Sequence, residues 1–171
     1  MTSLGGEDYK GLIIALFTLT AGISRPFSGK LADNIGRIPV MMIGASVCFL
    51  VGILYPLLSF VSGFLFLRLV HGFSTGFTPT GESAYIADIV PYQKRGEAMG
   101  MFSLFGSMGM AAGPAIGGWL ATLFTIDTVF YVSASVAILS ILILFRLKET
   151  LPPKKPISWR LLQLKRDEII E

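Results

Sequence analysis

Charge is almost absent from long stretches of this chain, and that constrains the fold more than any other feature. Residues 38–67 and 99–126 contain no Asp, Glu, Lys or Arg. Five segments are apolar over about 20 residues or more, enough to cross a hydrocarbon core about 30 Å thick. They run near Gly11–Leu31, Ile38–Phe60, Val61–Ile89, Met99–Phe124 and Thr128–Leu147. In lipid no water satisfies the backbone, so each span must be helical. Hydrophobic residues make up 53% of the 171 and charged ones 15%, against about 25% charged in a soluble domain. The expectation is an all-α membrane protein, a bundle of about five transmembrane helices in the lipid bilayer, followed by a linker over 148–171. The third and fourth segments exceed what a bilayer requires, which predicts tilt or protrusion.

Basic residues set the orientation. Lys30, Arg37, Lys94, Arg95, Arg146, Lys148, Lys154, Lys155, Arg160, Lys165 and Arg166 fall on one side, while Lys10 falls on the other and Arg25 and Arg68 lie within spans. That side is expected to be the cytoplasm, with the C-terminus inside. Five crossings then put the N-terminus outside. Its start, MTSLGGEDYKG, carries two acids and lacks the basic region and cleavage site of a signal peptide. A preceding span that begins in the cytoplasm would ease that insertion. Cys48 is the single cysteine, so no disulfide framework is expected. The chain shows no nucleotide-binding loop, metal-ligand cluster or nucleophile–base set, so neither enzymatic activity, nor a bound cofactor or metal, nor a nucleic-acid partner is expected.

The motifs sit at span ends and inside spans. In GKLADNIGRIP (Gly29–Pro39) a short hairpin needs a tight turn, for which Gly29 and Gly36 supply the backbone freedom. Asp33 and Arg37 are four apart and can pair if the turn is helical; the alternative is a solvated turn with anchoring charges. Arg68 lies about 10 Å into its span, where arginine costs about 3 kcal/mol and commonly faces water or a partner. Snorkelling to the interface is the other reading. His71, three residues on, shares its face and titrates near neutral pH, as a proton relay or simply as a packed ring. Glu82 is about 21 Å further along than Arg68, so the two cannot pair; substrate, proton or another helix are its possible contacts. Gly106 to Leu120 holds five glycines and Pro114. Gly109, Gly113 and Gly117 recur every four residues, a spacing that lets helices approach closely in lipid, and Pro114 is expected to bend the helix. The residue pattern alone reads as a tight helix interface.

These stretches resemble the major facilitator superfamily. Gly29, Asp33, Gly36 and Arg37 match its loop motif, with Asn34 and Ile38 replacing two usual bases. RLVHGFSTG resembles its arginine–x–x–glutamine–glycine pattern with His71 for glutamine, and ADIVPYQKRGEAMG its connection between the fourth and fifth spans. Gly100, Gly109, Gly113-Pro114 and Gly117-Gly118 match the fifth-span motif of its proton-driven antiporters. KETLP resembles the exit from the sixth span; the following ISWRLLQLKRDEIIE is either a surface helix or a solvated linker.

The resemblance implies spans two to six of a transporter that normally has twelve, its first span and C-terminal half being missing partners. It further implies proton-coupled efflux of small drug-like substrates through the plasma membrane, by alternating access and driven by a proton gradient. Asp33, Arg37 and Asp88 would form a gating latch, unless they are unconnected interfacial charges. Arg68, His71 and Glu82 would serve proton coupling or the substrate cavity. Alternatives are metabolite or sugar uptake within the superfamily, and a non-transporting assembly subunit that dimerises through Gly109–Gly117.

Overall fold

The computed structural model describes residues 10–58 and 60–151. Five helices follow one another: α1 (Lys10–Ile35), α2 (Arg37–Leu54), α3 (Val61–Ile89), α4 (Arg95–Leu123) and α5 (Ile126–Leu144), with short 3-10 turns at Tyr55–Leu57 and Tyr92–Lys94. The N-terminal start, and all of the expected 148–171 linker beyond Leu151, lie outside the described residues.

Four helical stretches are long and apolar enough to cross a membrane: Gly11–Ile35, Arg37–Leu57, Tyr92–Leu123 and Ile126–Leu144. α3, expected as a fifth span, is not among them: Arg68, His71, Glu82 and Asp88 interrupt its apolar run, and it packs against both α1 and α2. Its Ser74 hydroxyl donates to the Gly44 carbonyl of α2 at 2.7 Å, and its Gly76 carbonyl accepts from Ser28 of α1 at 2.8 Å. Polar groups that find such partners between helices escape the cost of facing hydrocarbon.

Glycine sets how closely these helices approach. A Cβ on Gly76 would collide with the Ser24 hydroxyl and lie 2.8 Å from the Ala21 carbonyl, and one on Gly44 would lie 2.8 Å from the Thr78 amide. α2 is the hub. Val40 packs with Ala32 and Phe77, Met41 and Ala45 with Leu144, and Val51 with Tyr55 and Leu67, so one helix contributes to all three buried apolar clusters.

The expected hairpin at 29–39 shrinks to one residue. α1 continues to Ile35, so Gly29 and Asp33 are helical, and α2 begins at Arg37. Only Gly36 breaks the helix, at φ 115°, a left-handed conformation that other residues adopt at a cost.

α4 stands apart. It runs unbroken through Pro114 and none of its residues is buried. A Cβ on Gly100, Gly109, Gly113 or Gly118 would meet nothing within 4 Å, and one on Gly117 would touch only Val129 at 3.4 Å. Among the described residues the α4 glycine face is uncovered, and the close glycine contacts lie instead among α1, α2 and α3 and, at Gly52 against Ala134, between α2 and α5.

Candidate functional site

Two constellations hold the polar chemistry of the bundle. The first sits where α1, α2, α3 and the end of α5 meet. Because only Gly36 separates α1 from α2, Arg37 at the start of α2 faces Asp33 one turn back. Its Nη1 donates to Asp33 Oδ1 at 2.5 Å, and its Nε to Asp88 Oδ2 at 2.9 Å near the end of α3. The Arg37 side chain is 10% exposed, against 31% for Asp88 and 68% for Asp33. Asp88 is therefore the better shielded partner, and water screens the Asp33 pair more heavily.

A fourth and fifth member come from beyond α5, and the motif reading assigned them no role. Glu149 accepts from the backbone amides of Arg37 and Ile38, both at 2.9 Å. These are orphan donors of the first turn of α2, which no intrahelical carbonyl can satisfy, and a carboxylate there also faces the positive end of the helix dipole. The amides of Thr150 and Leu151 donate to the same carboxylate at 3.0 Å each. Burial pushes the Glu149 carboxyl upward, but the four amide bonds outweigh it and hold the group below its ordinary range. Thr150 then donates its hydroxyl to Asp88 Oδ2 at 2.8 Å, so one carboxylate oxygen serves both Arg37 and Thr150. Gly36 makes room for this cap, since a Cβ there would lie 2.5 Å from Glu149 Oε2.

The second constellation surrounds Arg68 and His71 in α3. Arg68 does not pair with an acid among the described residues. Its guanidinium carbon lies 5.9 Å from the Phe17 ring centroid and 5.5 Å from those of Tyr55 and Phe64, distances at which aromatic faces attract a cation. Its Nε is buried without a hydrogen-bond partner. The rings come from α1, from the turn after α2 and from α3, so no local sequence pattern announces the cage. His71 stands edge-on to Phe17 at 5.5 Å between centroids. Its ring nitrogens lie 3.9 Å from the Cys48 sulfur and 3.4 Å from the Tyr55 hydroxyl. It also lines a cavity of about 310 Å³ between α2, α3 and α5, together with Cys48, Ser74, Thr75, Thr78, Ser133 and Ser140.

Glu82 joins neither group: it is half-buried on α3, about 16 Å along the helix from His71. Nor do Gly100, Gly109, Gly113, Pro114, Gly117 and Gly118 belong to either. A second cavity of about 310 Å³ opens beside them between α4 and α5, and shares Ser133 and Val136 with the first.

A bundle of helices long and apolar enough to span a bilayer, with a largely apolar cavity among them and an ion-pair network tying helix ends together at one face, defines the class of polytopic membrane proteins. The sequence matches the Major Facilitator Superfamily over residues 1–169, and the chain belongs to that family. It is 40% identical over 149 residues to the multi-drug resistance efflux pump PmrA of Streptococcus pneumoniae, covering 85% of this chain and 36% of the pump. It is 36% identical over 146 residues to the multidrug resistance protein MdtG of Escherichia coli, covering 85% and 36%. It is 33% identical over 141 residues to multidrug resistance protein 2 of Bacillus subtilis, covering 82% and 35%. The chain thus spans about a third of the length of these relatives.

Proposed function

We propose that this chain is the N-terminal part of a secondary transporter that exports small, partly apolar compounds in exchange for protons by alternating access. The naming of the three relatives as multidrug resistance or efflux proteins supports the cargo class. The observation that carries the mechanism is the Arg37 network. It fastens the α1–α2 junction to the ends of α3 and α5 through side chains that are partly exposed, so it can be broken and remade at modest cost. A latch of that strength suits a protein that alternates between two conformations.

In this reading the network faces the cytoplasm of a plasma-membrane protein, and the C-terminus lies on the same side. Arg68 and His71 shape the cavity or couple the proton, and Glu82 offers a carboxylate to substrate, proton or another helix. A first span packs into the paired cavities beside the α4 glycine face, and a C-terminal half completes the substrate path. The protein catalyses no covalent chemistry, holds no cofactor and binds no nucleic acid.

The test is dye efflux by the intact protein in everted membrane vesicles. Efflux that stops with an uncoupler, and is lost on Arg37→Ala and Arg68→Ala, supports the reading. Efflux indifferent to the uncoupler defeats the proton-coupling part. Self-association through α4 without any flux would leave only an assembly subunit, which the uncovered glycine face also accommodates.

A further inference from the structure

Tyr55 follows the last residue of α2 and opens the 3-10 turn Tyr55–Leu57, which Pro56 stiffens through its fixed φ. The turn sets the Tyr55 ring at the centre of the second constellation, where it is 5% exposed. Phe64 packs on it at 4.8 Å between centroids and Phe130 of α5 at 5.0 Å. The Arg68 guanidinium carbon lies 5.5 Å from its centroid. A ring clamped on these sides holds its hydroxyl in one place, and a buried tyrosine O–H needs a partner there. Among the described residues that partner is Nδ1 of His71 at 3.4 Å, and the hydroxyl has no other.

This contact and the one across the ring decide where the imidazole carries its proton. A neutral imidazole has one N–H and one bare nitrogen. Nε2 faces the Cys48 sulfur at 3.9 Å, and no carboxylate touches either ring nitrogen among the described residues. If Nδ1 carried the proton, it would donate to the Tyr55 oxygen and strand the tyrosine O–H in the core, at the full desolvation penalty of a buried donor. The thiol, a weak donor, would return little by turning its S–H to Nε2. With Nδ1 bare, the Tyr55 O–H donates to it and Nε2–H donates to the Cys48 sulfur, so both donors are placed. An imidazolium would strand the same O–H. It would also set a second positive charge beside Arg68, whose guanidinium shares the Phe17 and Tyr55 rings with His71.

We propose that Tyr55 is the positioning residue of the Arg68–His71 group. Its ring seats the guanidinium, and its hydroxyl locks His71 as a neutral Nε2–H imidazole, a fixed acceptor and donor rather than a proton relay. Such an imidazole presents what a glutamine side chain presents, an acceptor at one edge and an N–H donor at the other. His71 stands where glutamine stands in the arginine–x–x–glutamine–glycine pattern that RLVHGFSTG resembles, and the shared acceptor–donor pair gives that exchange a chemical reason. The proposal rests on reading this group as part of a transport path, in which it assigns His71 to shaping the cavity and not to coupling the proton.

The experiment uses the intact protein in lipid and reads no transport. Histidine is supplied with isotopic nitrogen for magnetic resonance, and the His71 pair is assigned as the signals lost in His71→Gln. At neutral pH the wild-type spectrum should show a proton on Nε2 and none on Nδ1. Tyr55→Phe keeps the ring and removes the O–H, and should move the tautomer ratio about fivefold toward Nδ1–H, the share of one ordinary hydrogen bond. Thermal unfolding should be near wild type for His71→Gln and lowered for His71→Leu, which strands the hydroxyl. Adding Tyr55→Phe to His71→Leu should recover part of that loss. A proton on Nδ1, an imidazolium spectrum at neutral pH, or a tautomer ratio unmoved by Tyr55→Phe would overturn the proposal. So would a His71→Gln melt as low as that of His71→Leu, or no recovery in the double variant. Should the Tyr55→Phe variants fail to fold, the wild-type spectrum and the two His71 melts decide. Absence of drug export would count only against the export reading and leave these outcomes unchanged.

Discussion

Replacing Glu149 by alanine removes a helix cap that is supplied from 112 residues away in sequence. The carboxylate satisfies two amides of the first turn of α2 and two of its own segment. Loss of an N-cap commonly costs about 1 kcal/mol. Because Glu149 is largely exposed, the dipole and charge contributions are screened and add little to that figure. At 1.4 kcal/mol per tenfold, a loss of about 1 kcal/mol corresponds to about fivefold easier opening of the α1–α2 junction.

Hydrogen exchange of the intact protein in lipid reads this directly, since the Arg37 and Ile38 amides have no other acceptor in the helix. The peptide containing them should exchange about fivefold faster in Glu149→Ala. Glu149→Gln, which keeps one acceptor oxygen, should fall between. The pH dependence has a definite sign. The carboxyl is held below its ordinary value of 4.5 in the folded protein, so its contribution is complete above that value. It is lost as pH falls through the lowered folded-state value. Wild type should therefore converge on Glu149→Ala in acid. Identical exchange of the two proteins at neutral pH, or no convergence in acid, would refute the capping argument.

Gly36→Ala should cost about 1–3 kcal/mol, because it strains a φ of 115° and drives a Cβ against Glu149; thermal unfolding beside Glu149→Ala would check it, and the double variant should be less than additive. Asp88→Asn should destabilise the network more than Asp33→Asn, whose 68%-exposed pair with Arg37 is worth about 0–1 kcal/mol; the same exchange measurement ranks them. Gly76→Leu should abolish the folded α1–α3 pair, since even a Cβ there collides with Ser24. Gly109→Ala should leave that pair intact, and size-exclusion profiles of the two variants would show the contrast.

How much of this was legible beforehand depends on the range of the interaction. Asp33 and Arg37 are four apart, and a pairing conditional on helical geometry could be written from spacing alone. Asp88 could be added only by resemblance to a family. The role of Glu149 could not be read from spacing, since its partners are amides that become orphans only because Gly36 starts a new helix there. The glycine pattern was legible as close packing, yet its most regular example, in α4, is uncovered among the described residues. The contacts form at Gly44, which no motif marks, and at Gly76, which ends the RLVHGFSTG stretch four residues after Gly72 but whose motif points to Arg68 and His71.

The sequence by itself determined that this chain is helical and membrane-embedded, because apolar run length measured against bilayer thickness is a local property that leaves the backbone one solution. It also gathered eleven of the fourteen basic residues on one side of the expected spans, the basis of the proposed orientation. Tertiary structure alone decided which helix is the hub and that rings from three segments surround Arg68. Those outcomes depend on which faces meet, and in a bundle of nearly uniform oiliness small residues and buried polar partners choose the faces, at sequence separations that no local pattern encodes.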